Sequence, residues 1–398
     1  MVRIADRVWE HWQEVEPFGR PGVDLLFSSA LADEEALAAV TRAASETIRE
    51  LEMRPPRPTG EEFSTGAYST APVPGGIALR IDEEPEDFEA LLRGIAQRLD
   101  AAGIDGTFDL LERDAGPPLP ELVDLLECRL RVDGERHHFR GPNWGWRADT
   151  AALAAGVEAA IDWCAAEAPP RPLALAVGLI APVPIPSGDD VRSYVRHGLV
   201  ATADVGVVRL TSTAPDRFRV AAIEPSWGRI SLIEGGTAVA EGVWQPALES
   251  LKDVCRSAAS WAVYAFVKRG SRRLDAELGS LFVDWVPIPH RSANSRLADA
   301  FEDRLVPDAF GVQLLGRGYV GRVAGGPDWD HAGAGASAVL VEHRDPAGWF
   351  DGGLVPFGGH PLVSLLERTV PIPELVSRAR EDFRPILFTD DVARAEPA

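Results

Sequence analysis

Lysine is almost absent from this chain. Of 398 residues only Lys252 and Lys268 carry an ammonium, so lysine-dependent chemistry such as Schiff bases or phosphate loops has two candidates and is discounted. Arginine supplies the remaining positive charge. Cysteine is scarce as well. Cys128, Cys164 and Cys255 are odd in number and far apart, which argues against a disulfide framework and against a structural zinc site. Cys164 and Cys255 fall on apolar helix faces and read as small core residues. The longest apolar stretch, residues 173–185, is too short to span a bilayer and is interrupted by Pro182 and Pro184. The first residues are charged from Arg3 onward and lack the apolar centre of a signal peptide, so a soluble, reduced, cytoplasmic protein is expected. Neither a G-x-S-x-G elbow nor an H-E-x-x-H helix occurs, which removes the hydrolase readings those motifs carry.

What the chain does have is negative charge, unevenly placed. It carries 61 Asp and Glu against 40 Lys and Arg, a net of −21. Residues 1–125 account for 26 of the acids and 11 of the arginines, a net of −15. Like charges repel, so binding to a nucleic acid backbone or an anionic membrane is disfavoured, and a basic protein partner is favoured. Hydrophobic residues at 45% and charged residues at 25% are ordinary for a folded protein, and the length calls for two or three domains.

Periodicity gives the fold class. Residues 23–27 read as a strand. Behind Asp33 a helix follows, with Leu37, Val40, Ala44, Ile48 and Leu51 three or four apart. Prolines from Pro55 end it. Strand-compatible residues 63–68, a turn at Gly75 and Gly76, and a strand at 77–81 come next. A second helix places Phe88, Leu91, Leu92, Ile95, Ala96 and Leu99 on one face, with Glu86, Asp87 and Glu89 at its positive end and Gly103 positioned to stop it. A strand at 107–111 completes the order strand–helix–strand–strand–helix–strand. That order predicts an α+β fold whose N-terminal part is a ferredoxin-like sandwich. Beyond the break at 116–120 the same order is expected again, with a helix capped by Asp149, a long helix over 246–268 and an inserted hairpin. The second half thus reads as a structural repeat. The expected domains are 1–115, 122–290 and a C-terminal extension, 291–398.

Each candidate motif has a plainer structural reading beside it. Gly316, Gly318 and Gly321 match G-x-G-x-x-G after a strand, but glycines and Pro327 leave no helix to hold a pyrophosphate, so no cofactor is assigned. Asp328, Asp330 and His331 are three metal-ligand types within four residues, without the further ligands or spacing of a cation loop, and read as a solvent-facing loop. The basic stretch Lys268, Arg269, Arg272 and Arg273 is placed at the end of the long helix, where cations favour the dipole. His137, His138, Arg140, Trp144, Trp146 and Arg147 gather two imidazoles, two indoles and two guanidiniums, a set that leads interface hot spots.

The functional expectation is a non-enzymatic, cytosolic protein-binding protein with an acidic contact face, such as an immunity protein that neutralises a basic toxin or effector domain. Its contact residues would be Glu83, Glu84, Glu86 and Asp87 of the acidic half, with the His137–Arg147 group. The alternative is an enzyme whose site is assembled between two α+β domains from His137, His138, Trp144, Trp146, Arg147, Asp328, Asp330 and His331. A structural subunit of a larger assembly is a third reading.

Overall fold

A computed structural model describes residues 1–14, 23–51, 68–81, 85–112, 122–138, 144–166, 173–178, 180, 182–201, 207–213, 217–225, 228–236, 243–273, 311–316, 329–334 and 338–345. It is a mixed α+β protein. In chain order the elements are β1 (Val2–Ile4), α1 (Asp6–Glu14), β2 (Val23–Ser29), α2 (Asp33–Glu50), β3 (Tyr68–Val73), β4 (Gly76–Ile81), α3 (Pro85–Ala101) and β5 (Gly106–Leu110). Then come β6 (Leu122–Val132), β7 (Gly134–His138), β8 (Trp144–Ala148), α4 (Thr150–Ala165), β9 (Leu173–Val177), β10 (Val183–Ile185), α5 (Val191–Ala201) and β11 (Val208–Thr213). The remainder is β12 (Arg217–Glu224), β13 (Arg229–Gly236), α6 (Gln245–Ser257), β14 (Ala262–Arg273), β15 (Val312–Leu315), β16 (Trp329–Ala334) and β17 (Ala338–His343). Among the described residues no helix is long and apolar enough to cross a membrane.

Two compact units divide the chain. The first gathers residues from 1–118 and 167–213, the second those from 119–166, 214–274 and 281–398. The segment 167–213 therefore leaves the second unit and packs with the first.

The first unit is built on a five-stranded sheet in the order β1-β5-β2-β4-β3. β2 lies antiparallel to both β4 and β5, β3 to β4, while β1 runs parallel to β5. Side chains alternate across a strand. Val23, Leu25 and Phe27 therefore meet Ile77, Leu79, Ile81 and Phe108 in a core closed by Val40, Ala44, Phe88, Leu91, Leu92 and Ile95 from the two helices. The β3–β4 turn is tight: a Cβ on Gly76 would lie 2.2 Å from the Phe27 carbonyl oxygen, and its φ of 151° suits glycine. α1 is fastened by aromatic contact, with Trp12 stacked on Phe88 at 4.0 Å between ring centroids and Trp9 edge-on to the same ring. In the same unit β9 pairs antiparallel with β10 and β11, and α5 packs on β3, β9 and β11.

The second unit orders its strands β12-β13-β6-β14-β15-β17-β16, all neighbours antiparallel. α4 packs on β6, β12 and β13, and α6 on β6, β14 and β15. Asp149 caps α4 by accepting from the Ala152 N–H at 2.9 Å, as its position predicts. The long helix expected over 246–268 stops at Ser257, and residues 262–273 form β14 instead. The reason lies in composition: Val263, Tyr264, Phe266 and Val267 are β-branched or aromatic, and pairing with both β6 and β15 buries Tyr264 through Val267. The basic stretch from Lys268 to Arg273 thus belongs to a strand and completes no helix dipole. The segment around Asp330, expected as a solvent-facing loop, is also a strand, β16, at the end of the strand order.

Charge is buried in this unit. Arg219 donates from Nε to Glu234 Oε2 at 3.0 Å and from Nη1 to the Trp163 carbonyl at 2.9 Å, with its guanidinium 4.9 Å from the Trp163 ring. Arg217 also donates to Glu234. Removing one partner strands the other in a low dielectric, so Glu234→Ala should destabilise the second unit by about 3–5 kcal/mol. In the first unit Phe88→Ala should cost a similar ~3–5 kcal/mol by opening the cavity under the Trp12 stack. Urea unfolding followed by hydrogen exchange, which reads each unit separately, checks both values.

Candidate functional site

The helices cover one face of the first unit's sheet. The other face carries Asp24, Leu26 and Ser28 of β2 opposite Arg80 and Ala78 of β4, and Asp109 and Thr107 of β5. Asp24 and Arg80 are buried and face each other at 3.5 Å. Toward the β5 side this face opens into a cleft of about 550 Å³. Its lining includes Leu26, Ser28 and Thr107 from the sheet face, Pro74 and Gly75 from the β3–β4 turn, and Val183, Pro184 and Pro186.

The polar rim is set by three local features. α1 carries Arg7 to β5, where its Nε donates to Asp109 and its Nη1 lies 3.8 Å from Glu112 Oε1. This placement follows from β1, whose pairing with β5 continues through the Ala5 N–H to the Phe108 carbonyl at 2.9 Å, and from the Trp12 stack behind α1. Asp109 follows from alternation near the end of β5, its carboxylate also accepting from the Leu110 N–H at 2.8 Å, and Glu112 lies two residues beyond that strand. Asp189 sits on the turn before α5, where Asp190 caps that helix by accepting from the Arg192 and Ser193 N–H groups at 3.1 and 3.3 Å. The Tyr194 hydroxyl donates to Asp189 Oδ2 at 3.4 Å.

Three carboxylates and one guanidinium leave the rim with a formal charge of −2. The hydrogen bond from Arg7 holds the Asp109 carboxyl below its ordinary value, and the same bond raises the arginine. Burial pushes the Tyr194 hydroxyl up, with Asp189 adding to the effect. The cleft combines aliphatic side chains, Leu26, Val183 and Pro184 among them, with an anionic edge, and among its described lining residues there is no imidazole or thiol. Such a site can hold a group with an apolar stem and a cationic head.

None of the sequence-derived contact residues is among the described lining residues of the cleft. Glu83, Glu84 and Arg140 lie outside the described residues, as does Asp328. Glu86 and Asp87 lie in the first turn of α3, and the described side chains begin beyond them. The His137–Arg147 group lies on a hairpin: β7 and β8 pair antiparallel with His138 opposite Trp144, His137 opposite Gly145 and Arg136 opposite Trp146. The side chains of His137, His138, Trp144 and Trp146 are outside the described set, and Arg147 is exposed. Asp330 and His331 are exposed on β16, Asp330 receiving a hydrogen bond from Arg344 at 2.7 Å. Among the described residues no group of three His, Cys, Asp or Glu side chains is placed to hold a metal ion.

Part of the described acidic charge of the first unit is paired with arginines of the same unit. Arg93 meets Glu89 at 2.8 Å, Arg98 pairs with Glu50 and lies 3.8 Å from Glu46, Arg80 faces Asp24, and Arg7 takes Asp109. Sequence reasoning passed over Arg7, Asp109, Glu112 and Asp189. The available signal was the polar position of Asp109 inside an apolar strand, on the side away from Phe108. No protein-family model matches the chain, and no curated protein sequence is significantly similar to it.

The depressed Asp109 carboxyl makes a testable link to pH. A carboxyl whose folded value is lowered contributes stability above its unfolded value and loses it as pH falls through the folded value. Asp109→Asn should therefore lower the melting temperature of the first unit at neutral pH. The gap from the parent should shrink as pH drops below about 4. Thermal unfolding of both proteins from pH 2 to pH 7, on a scale of roughly one-unit steps, checks the direction.

Proposed function

We propose that this chain is a non-enzymatic binding protein whose first unit receives a basic segment of a protein partner. The observation that carries the reading is the cleft beside β5, where Asp109, Glu112 and Asp189 line a space shared with the aliphatic Leu26, Val183 and Pro184. The concentration of a net −15 in residues 1–125 supports it, because a field of one sign steers a basic partner toward the unit before contact. An arginine or lysine side chain would lay its methylenes over Leu26 and Pro184 and place its charge among the carboxylates. An immunity protein acting on a basic toxin domain is the concrete form of this activity.

We propose likewise that each unit contains a ferredoxin-like βαββαβ sandwich, the second a structural repeat of the first. Supporting it are the strand orders β5-β2-β4-β3 and β14-β6-β13-β12. Each places the fourth, first, third and second strand of its motif side by side, with two helices between the appropriate strands.

The experiment titrates the full chain with a fluorescent oligoarginine peptide at low and high salt. The parent should bind at low salt and lose affinity steeply as salt rises. The double variant Glu112→Arg, Asp189→Arg should bind roughly tenfold more weakly or worse. A control with the same charge change at Glu10 and Glu35, which do not line the cleft, should lose much less. Equal losses in the two variants, or no binding by the parent at low salt, would remove the cleft from the account.

A further inference from the structure

We infer that Cys128 and Cys255 form a site of reversible disulfide modification that ties α6 to the middle of the second unit's sheet. Their sulfurs lie 3.4 Å apart, although the residues are 127 positions apart in sequence. Cys128 belongs to β6, which is hydrogen-bonded to β13 on one side and β14 on the other. Cys255 lies near the C-terminal end of α6, facing that strand. Both are 0% exposed.

A disulfide needs sulfurs about 2.05 Å apart, so closure requires an approach of little more than an ångström, within reach of small side-chain and backbone adjustments. No other side chain has to leave the space between the two sulfurs. Cys164 lies in the same unit and is 1% exposed, but its Sγ is directed to the Arg219 carbonyl at 3.9 Å. It is a built-in control: equally buried, with a different neighbour.

The chemistry balances with a small azodicarboxamide as oxidant. One thiolate sulfur adds to a nitrogen of the azo bond, and the other nitrogen takes up a proton. The second thiolate then attacks the sulfur so modified, forming the S–S bond and expelling the nitrogen, which takes up the second proton. Two thiols are oxidised and the azo compound is reduced to a hydrazine. Burial pushes the Cys128 thiol well above its ordinary value, so little thiolate exists while α6 is seated. Oxidation therefore proceeds through transient opening of α6 and quickens with pH and with mild urea.

The test treats the folded full-length chain with the azodicarboxamide, quenches in acid, then alkylates in denaturant and counts free thiols by intact mass. The count should fall from three to one, peptide mapping should join residue 128 to residue 255, and a reductant should restore all three. The closed form should melt roughly 5–10 °C higher, since the cross-link constrains a long loop of the unfolded chain. Cys164→Ser should still close, leaving no free thiol. Cys128→Ala and Cys255→Ala, chosen because alanine suits a buried site, should each keep both remaining thiols. Three free thiols in the oxidised parent, a bond to Cys164, or a dimer linked between chains would each overturn the inference.

Discussion

The central place of β2, hydrogen-bonded to β4 on one side and to β5 on the other, governs the first unit. Because side chains alternate along a strand, this register sends Val23, Leu25 and Phe27 to the helices and Asp24, Leu26 and Ser28 to the opposite face. A slip by one residue would drive Asp24 into the apolar core and bring Phe27 out, so the register is fixed by burial. The cleft is a consequence of that choice. β5 presents Asp109 beside Leu26, and the return of α1 along the same edge brings Arg7 to it. The indole stack under α1 is thus coupled to the electrostatics of the rim, although Trp12 and Phe88 are not part of it.

The second unit has a different stabilising balance. Its core accepts an arginine and a glutamate, and their cost of burial is offset by directed hydrogen bonds to each other and to a backbone carbonyl. Lys252 adds a second bridge from α6, 2.7 Å from Glu342 on β17, and Arg256 reaches the same carboxylate at 3.2 Å. α6 is therefore held at one side by charge and at another by the cysteine contact with β6.

Helices and strands with clear periodicity were legible in the sequence. The α3 face from Phe88 to Leu99, the Asp149 cap and the stop at Gly103 all depend on local physics, and the structure has each of them. The α6–β14 boundary was not legible by helical spacing, because an apolar run satisfies both periods until its partner strands are known. Nor was the cleft. Arg7, Asp109 and Asp189 are separated by up to 182 positions, and only the β1–β5 pairing and the packing of 167–213 with the first unit bring them together.

The most direct measurement of the central claim is hydrogen–deuterium exchange of the full chain with and without an oligoarginine peptide at low ionic strength. Binding in the cleft predicts slower exchange at Gly75, Leu111, Glu112 and the 186–189 turn, with the exposed Asp33–Glu35 end of α2 unchanged. Protection centred on the start of α2, or spread evenly over the acidic surface, would contradict a cleft that recognises cations.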